Sequence, residues 1–247
     1  MHITDLKTDI NAGAEIFNSI PIRLQPCWAS LILHEFDSYN NSIPNEVTEL
    51  YKIIDNENNW NEAHKQFDKI RRYSLNNKNY EPDSYLRLAE LVAKVTYNSV
   101  TRQVATFDSN SGYFIPSLTV TTAEYYGGKP LLDEATNLFW LLNRFRNFKS
   151  EIKNANDLKL FCRIDKILWK NWDPIGLFDD GCRDEYYDYI PEIFKLATSG
   201  ATTKDLTDKL FHRASETIGV SDTLERNQEI AELILIESNT WRLYASS

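Results

Sequence analysis

Apolar positions recur along this chain at helical spacing, and that periodicity predicts most of its elements. Val47, Leu50, Tyr51 and Ile54 lie three and four residues apart after Pro44 and predict the first well-defined helix. Beyond a turn in the Asn-rich residues 55–59, Trp60, Ala63, Phe67 and Ile70 share one face of a second. Pro82 and Asp83 open a third, because proline is tolerated where a helix has no use for its missing N–H. Tyr85, Leu88, Leu91, Val92 and Val95 line the inner face of that helix. Leu131, Ala135, Leu138, Phe139, Leu142 and Phe145 predict another over 131–148. A short helix fits Ile10–Ser19, ended by Pro21. Between these, residues 99–128 lose the period and fill with Thr, Ser and Val before the Gly127-Gly128 pair. They read as one long loop holding a short strand at 114–120.

The C-terminal part has a cleaner rhythm. A helix over 158–172 carries Phe161, Ile164, Ile167 and Leu168, and a second over 187–198 has Pro191 in its first turns and Gly200 as its C-cap. Thr202 with Asp205 makes a capping pattern for a third helix, ended at Gly219. Asp222 with Glu225 repeats the device for a fourth, with Ile230, Leu233 and Ile234 following. The polar stretch 149–156 is the expected boundary. The prediction is an all-α chain of two packed helical halves joined by a short linker, residues 1–150 and a four-helix part 151–247.

Composition narrows the classes of function. Aromatic residues make up 13% of the 247, enough to build a core, which excludes a disordered chain. Lys and Arg number 27 against 36 Asp and Glu, so the net charge is −9. That excludes nucleic-acid binding through bulk charge, which needs a basic footprint. The opening MHITDLKTDINAGAEIF has no basic stretch followed by an apolar core, and no apolar run approaches membrane-spanning length, so a cytoplasmic protein without a membrane partner is expected. The three cysteines, Cys27, Cys162 and Cys182, are too few and too scattered for a disulfide framework or a zinc site. No cofactor and no metal are expected. The phosphate-loop, dinucleotide, nucleophile-elbow and zinc-protease patterns are all missing, which weighs against the common enzyme classes.

The sharpest local feature is an acidic stretch. Asp173, Asp179, Asp180, Asp184, Glu185, Asp188 and Glu192 stand against one base, Arg183, and interleave with Trp169, Trp172, Tyr186, Tyr187 and Tyr189. The order of acids does not match a calcium-binding helix–loop–helix. The stretch reads as a solvated face, as a docking surface for a basic protein, or as a cation site. In the docking reading Asp179, Asp180, Asp184, Glu185, Tyr186 and Asp188 contact the partner, with the aromatics as anchors. A separate set, His34, Asn98 and Asp108, could line a ligand pocket between the halves. His34 with Cys27 could also form a nucleophile–base pair, and Asp108 sits in a Phe-Asp-Ser-Asn-Ser-Gly run that also reads as a plain turn.

Residues 165–240 resemble a small bacterial helical domain of unknown function. The resemblance rests on Trp172-Asp-Pro-Ile-Gly176, Asp184-Glu-Tyr, Tyr189-Ile-Pro-Glu-Ile-Phe194 and Glu225-Arg-Asn. Tyr187 departs from it, standing where that pattern has Asp. The N-terminal half resembles a second uncharacterised bacterial segment through Trp60-Asn-Glu-Ala-His64, Ile70-Arg-Arg72, Leu88 to Asn98, Phe107-Asp108 and Gly112. Proteins of both types resemble bacterial accessory and immunity proteins. The resemblance implies no activity and carries no catalytic residue. With the charge, it implies an immunity protein that binds and neutralises a basic toxin. The alternative is a ligand-binding protein or enzyme with a pocket between the halves.

Overall fold

The structure is a computed structural model that describes residues 6–39, 42–76, 84–101, 111–126, 132–133, 136–141, 152–176, 186–220 and 222–245. It is all-α, with no strand among the described residues. The chain divides into two compact units, Met1–Asn147 and Phe148–Ser247.

In the first unit α1 is Ile10–Ser19, α2 Gln25–Glu35, α3 Asn45–Asp55, α4 Ala63–Asn76, α5 Ser84–Thr101 and α6 Ser111–Tyr126. A 3-10 turn, Asp37–Tyr39, follows α2, and another, Glu57–Glu62, leads into α4. Helix α5 is the axis of the unit and packs on α2, α3, α4 and α6. It buries Tyr85, Leu88, Val92 and Val95 of the face read from the sequence, with Leu91 half-buried, and the hydroxyls of Thr96 and Ser99 donate to the carbonyls of Val92 and Val95. Helix α1 lies on α6 with Gly13 at the crossing. A Cβ there would stand 2.6 Å from the tip of the Leu6 side chain, which can swing aside, and 3.1 Å from Pro116 Cβ on α6, so glycine lets the two helices approach without displacing that ring.

The expected long loop over 99–128 with a strand at 114–120 is overturned where it is described, because 99–101 end α5 and Ser111–Tyr126 is helix α6, while 102–110 and 127–128 lie outside the described residues. The β-branched residues of α6 mimic a strand, yet Thr119 and Thr122 donate their hydroxyls to the carbonyls of Ile115 and Leu118, four residues back. The threonines can therefore be buried beside Ile115, Val120 and Ala123 on one helical face. Residues 136–141 are helical within the predicted 131–148, with Leu138 and Phe139 buried.

In the second unit α7 is Ala155–Ile167, α8 Ile190–Ser199, α9 Thr203–His212 and α10 Leu224–Ala245. A π-turn, Leu168–Trp172, prolongs α7, and another, Arg213–Ile218, prolongs α9. Helix α10 packs on α7, α8 and α9 and so organises the unit. The cap at Thr202 and Asp205 is reciprocal, and Gly200 and Gly219 end their helices in the left-handed conformation. The cap of α10 falls one residue later than the spacing predicts. Thr223 Oγ1 accepts from Arg226 N at 3.2 Å, while Asp222 serves Asn227 instead. Helix α8 begins at Ile190, later than predicted, because Pro191 belongs at the start of a helix. No helix among the described residues is long and apolar enough to cross a membrane.

Candidate functional site

Two polar clusters stand out, one in each unit. The first surrounds Asp37, just past the end of α2. Its Oδ1 accepts the hydroxyls of Tyr51, from α3, at 2.8 Å and of Tyr85, from α5, at 2.7 Å. Its Oδ2 lies 2.7 Å from His34 Nδ1, and the imidazole stacks on the Tyr51 ring at 3.7 Å between centroids. Burial, then the neighbouring Tyr85 hydroxyl and the Asp37 carboxylate, raise the Tyr51 pKa far above the usual phenol value. Burial and the hydrogen bond to Asp37 raise that of Tyr85. Both tyrosines are therefore fixed as donors. An ionised carboxylate only accepts, so the proton between the two groups sits on His34 Nδ1, and Nε2 is the ring nitrogen turned away from Asp37. This is the orienting half of a His–Asp dyad. The His34 side chain is 47% exposed.

The other residues expected to join His34 do not. Asn98 lies on α5, thirteen residues beyond Tyr85, or about 20 Å along the helix axis. Asp108 lies outside the described residues. Cys27 is buried on α2 about 10 Å of helix rise from His34, so the nucleophile–base pair is not formed. Among the described residues no three His, Cys, Asp or Glu side chains group as metal ligands.

The second cluster gathers the C-terminal sequence motifs. Helix α7 and its π-turn end at Asp173, the one non-glycine residue with positive φ, at 22°, among the described residues. Pro174 and then Gly176, with φ 69°, carry the chain away. Trp172 is fully buried and donates its indole N–H to Asn227 Oδ1 at 2.9 Å. Asn227 returns two donors, to Asp222 Oδ2 and to the Thr223 carbonyl. Arg226 donates to the carbonyls of Trp172 and Asp173, which face the start of α10 because the helix stops there. Tyr186 and Tyr189 meet the Trp172 indole edge-on at 5.5 and 5.8 Å. Beyond them Glu192 accepts from Lys209 at 2.6 Å and from Arg213 at 3.0 and 2.5 Å, and the Arg213 guanidinium lies over the Tyr189 ring. Burial works against the Glu192 charge, but those two cations outweigh it and hold its pKa below the usual glutamate value.

Comparison with protein-family models, with curated proteins and with solved structures gives no match.

The second cluster changes the reading of the expected docking residues. Tyr186 is 1% exposed and its hydroxyl donates to Asp173 Oδ1 at 2.5 Å, so its ring is core and not a surface anchor. Tyr187 is buried too. Both can face inward because residues 186–189 form a turn ahead of α8, where the alternation of a helix does not apply. Asp188 is exposed, whereas Asp179, Asp180, Asp184 and Glu185 lie outside the described residues. The sequence reading missed Tyr51 and Tyr85 as partners of His34. The one local signal was the His34-x-x-Asp37 spacing, which places both at the end of α2.

Proposed function

We propose that this chain is an acidic protein-binding module acting inside the cell, which binds and neutralises a basic partner in the manner of an immunity protein against a toxin. The observation that carries this reading is the uneven placement of charge. Residues 171–247 hold seven Lys and Arg against fifteen Asp and Glu, net −8 of the chain's −9. Four of those seven bases are already engaged: Lys209 and Arg213 by Glu192, Arg226 and Arg242 by backbone carbonyls. The unit's other bases gather in residues 149–170, six Lys and Arg against three acids, so the unit as a whole is −5 and its negative field comes from the 171–247 stretch. Such a field speeds encounter with a cationic protein and penalises acidic competitors.

The test is capture of the tagged chain from its own cells at low salt. A stoichiometric basic protein, released by moderate salt and losing its activity on rebinding, supports the reading. Recovery of the chain alone, or with an acidic protein that salt does not release, refutes it. The second reading, a ligand-binding protein or enzyme, draws on the His34 imidazole that Asp37 fixes in one tautomer. Small molecules that shift the His34 ring signals would favour it.

A further inference from the structure

We infer that the exposed face of α10 is a docking surface for an amphipathic, basic helix of the partner protein. The inference rests on the protein-binding reading and assigns it a surface. Helix α10 buries Asn227, Ile230, Ala231, Ile234 and Ser238 on one side. The opposite side holds Glu225, Glu229 and Glu232 in its first half and Leu233, Ile236 and Leu243 in its second. Positions 225, 229, 232, 236 and 243 follow one another at three- and four-residue steps or their sums, so they form a single stripe. That stripe runs about 27 Å, the length of a five-turn helix.

Its apolar end is unusual for a solvated face. Ile236 is 61% and Leu243 75% exposed, beside Leu233. Its charged end is of one sign. The two arginines of α10 are turned to other work, Arg226 on the Trp172 and Asp173 carbonyls and Arg242 on that of Ala197. Among the described residues no cation pairs with Glu225 or Glu229. A ligand matching the stripe must present cations over two turns and an apolar ridge over the next three. A helix with Leu or Ile at i, i+3 and i+7 and Lys or Arg toward one end does so.

A second copy of this chain fits poorly. Parallel pairing sets the three glutamates against their own images, and antiparallel pairing buries them against Leu243 and Ile236 without a cation. Charge complementarity therefore selects a basic partner over self-association.

The probe is a synthetic Leu/Lys peptide of helical periodicity, titrated into the isotope-labelled full chain. Its controls are a scrambled peptide of the same composition and a Leu/Glu peptide. Shifts centred on Leu233, Ile236 and Leu243, with the scrambled peptide at least tenfold weaker, are expected. Ile236→Glu should weaken binding at least tenfold. Glu229→Lys with Glu232→Lys should weaken it and flatten its salt dependence. All three side chains are exposed, so the variants fold, which an unchanged circular dichroism spectrum verifies. No peptide binding, equal binding of the scrambled peptide, or indifference to Ile236→Glu overturns the inference. So does a concentration-dependent dimer in sedimentation that Ile236→Glu dissolves, which would make the face a self-association surface. A captured basic partner that binds wild type and Ile236→Glu equally overturns this face and leaves the protein-binding reading intact. Capture of no basic partner overturns that reading, whatever the peptide does.

Discussion

The contact between Trp172 and Asn227 is open to a double-mutant cycle, because each buried group depends on the other. Asn227→Ala leaves the indole N–H of a fully buried tryptophan without its acceptor, which costs about 1–3 kcal/mol. It also removes two donated bonds, to Asp222 and the Thr223 carbonyl, each worth about 0.5–1.5 kcal/mol. The expected loss is about 3 kcal/mol. In a unit of this size it lowers the melting temperature of that unit by roughly 12–24 °C. Trp172→Phe removes the donor and strands Asn227 Oδ1. In the double variant neither group is stranded, so its loss should fall short of the sum of the singles by about 1–2 kcal/mol. Urea unfolding of the four proteins, followed by far-UV circular dichroism and fitted with one transition per unit, measures this. A coupling under about 0.5 kcal/mol would refute the claim that this hydrogen bond ties the end of α7 to the start of α10.

Three further outcomes are expected. Gly13→Val forces α1 off the Pro116 ring and should cost about 2 kcal/mol in denaturant melts of the N-terminal unit, whereas an unchanged midpoint would mean the crossing is loose. Tyr51 and Tyr85 hold their protons more tightly folded than unfolded, so the stability they confer is complete below about pH 10 and lost as pH rises beyond it. Tyr85→Phe should therefore lose stability at neutral pH and show a shallower alkaline decline than wild type in pH-dependent melts. Glu192 has a lowered folded pKa, so its contribution is present above about pH 4.5 and disappears as pH falls through the lowered value. Glu192→Gln should remove that acid-side slope, with a difference below about 1 kcal/mol at neutral pH, since the pair is partly solvated.

Helices whose apolar residues keep a plain period were legible in the sequence, and those whose buried face is a continuous run or is filled by hydroxyls were not. Helix α3 alternates Val47, Leu50 and Ile54 with exposed polar residues, so its period is plain. Helix α2 escaped prediction because Pro26 through Ser30 are all buried, together with Ile32 and Leu33, which erases the periodic contrast. Helix α6 passed for a loop and strand because its inner threonines count as polar until their hydroxyls bond within the helix. At the candidate sites, what depends on near neighbours could be read: the helix end at Trp172 and the Thr202 cap. What depends on tertiary placement could not. Nothing near Trp172 announces that its acceptor lies 55 residues later. Nothing near Asp37 points to Tyr85, 48 residues away.

The position of α10 within its unit has a consequence for how that unit comes into being. Its contacts reach far back along the chain: from Ser238 to Ala197, from Asn227 to Trp172, and from Trp241 to Asp157, 84 residues earlier. Helices α7, α8 and α9 are therefore made first and wait, with their apolar faces uncovered, for the helix that closes them. Closing such long loops is slow, because chain entropy is lost before the distant contacts repay it. During synthesis the first unit can condense around α5 while the second is still open. Until α10 is made through Trp241, the apolar faces of α7, α8 and α9 stay uncovered, and an uncovered apolar face is open to proteases and to aggregation.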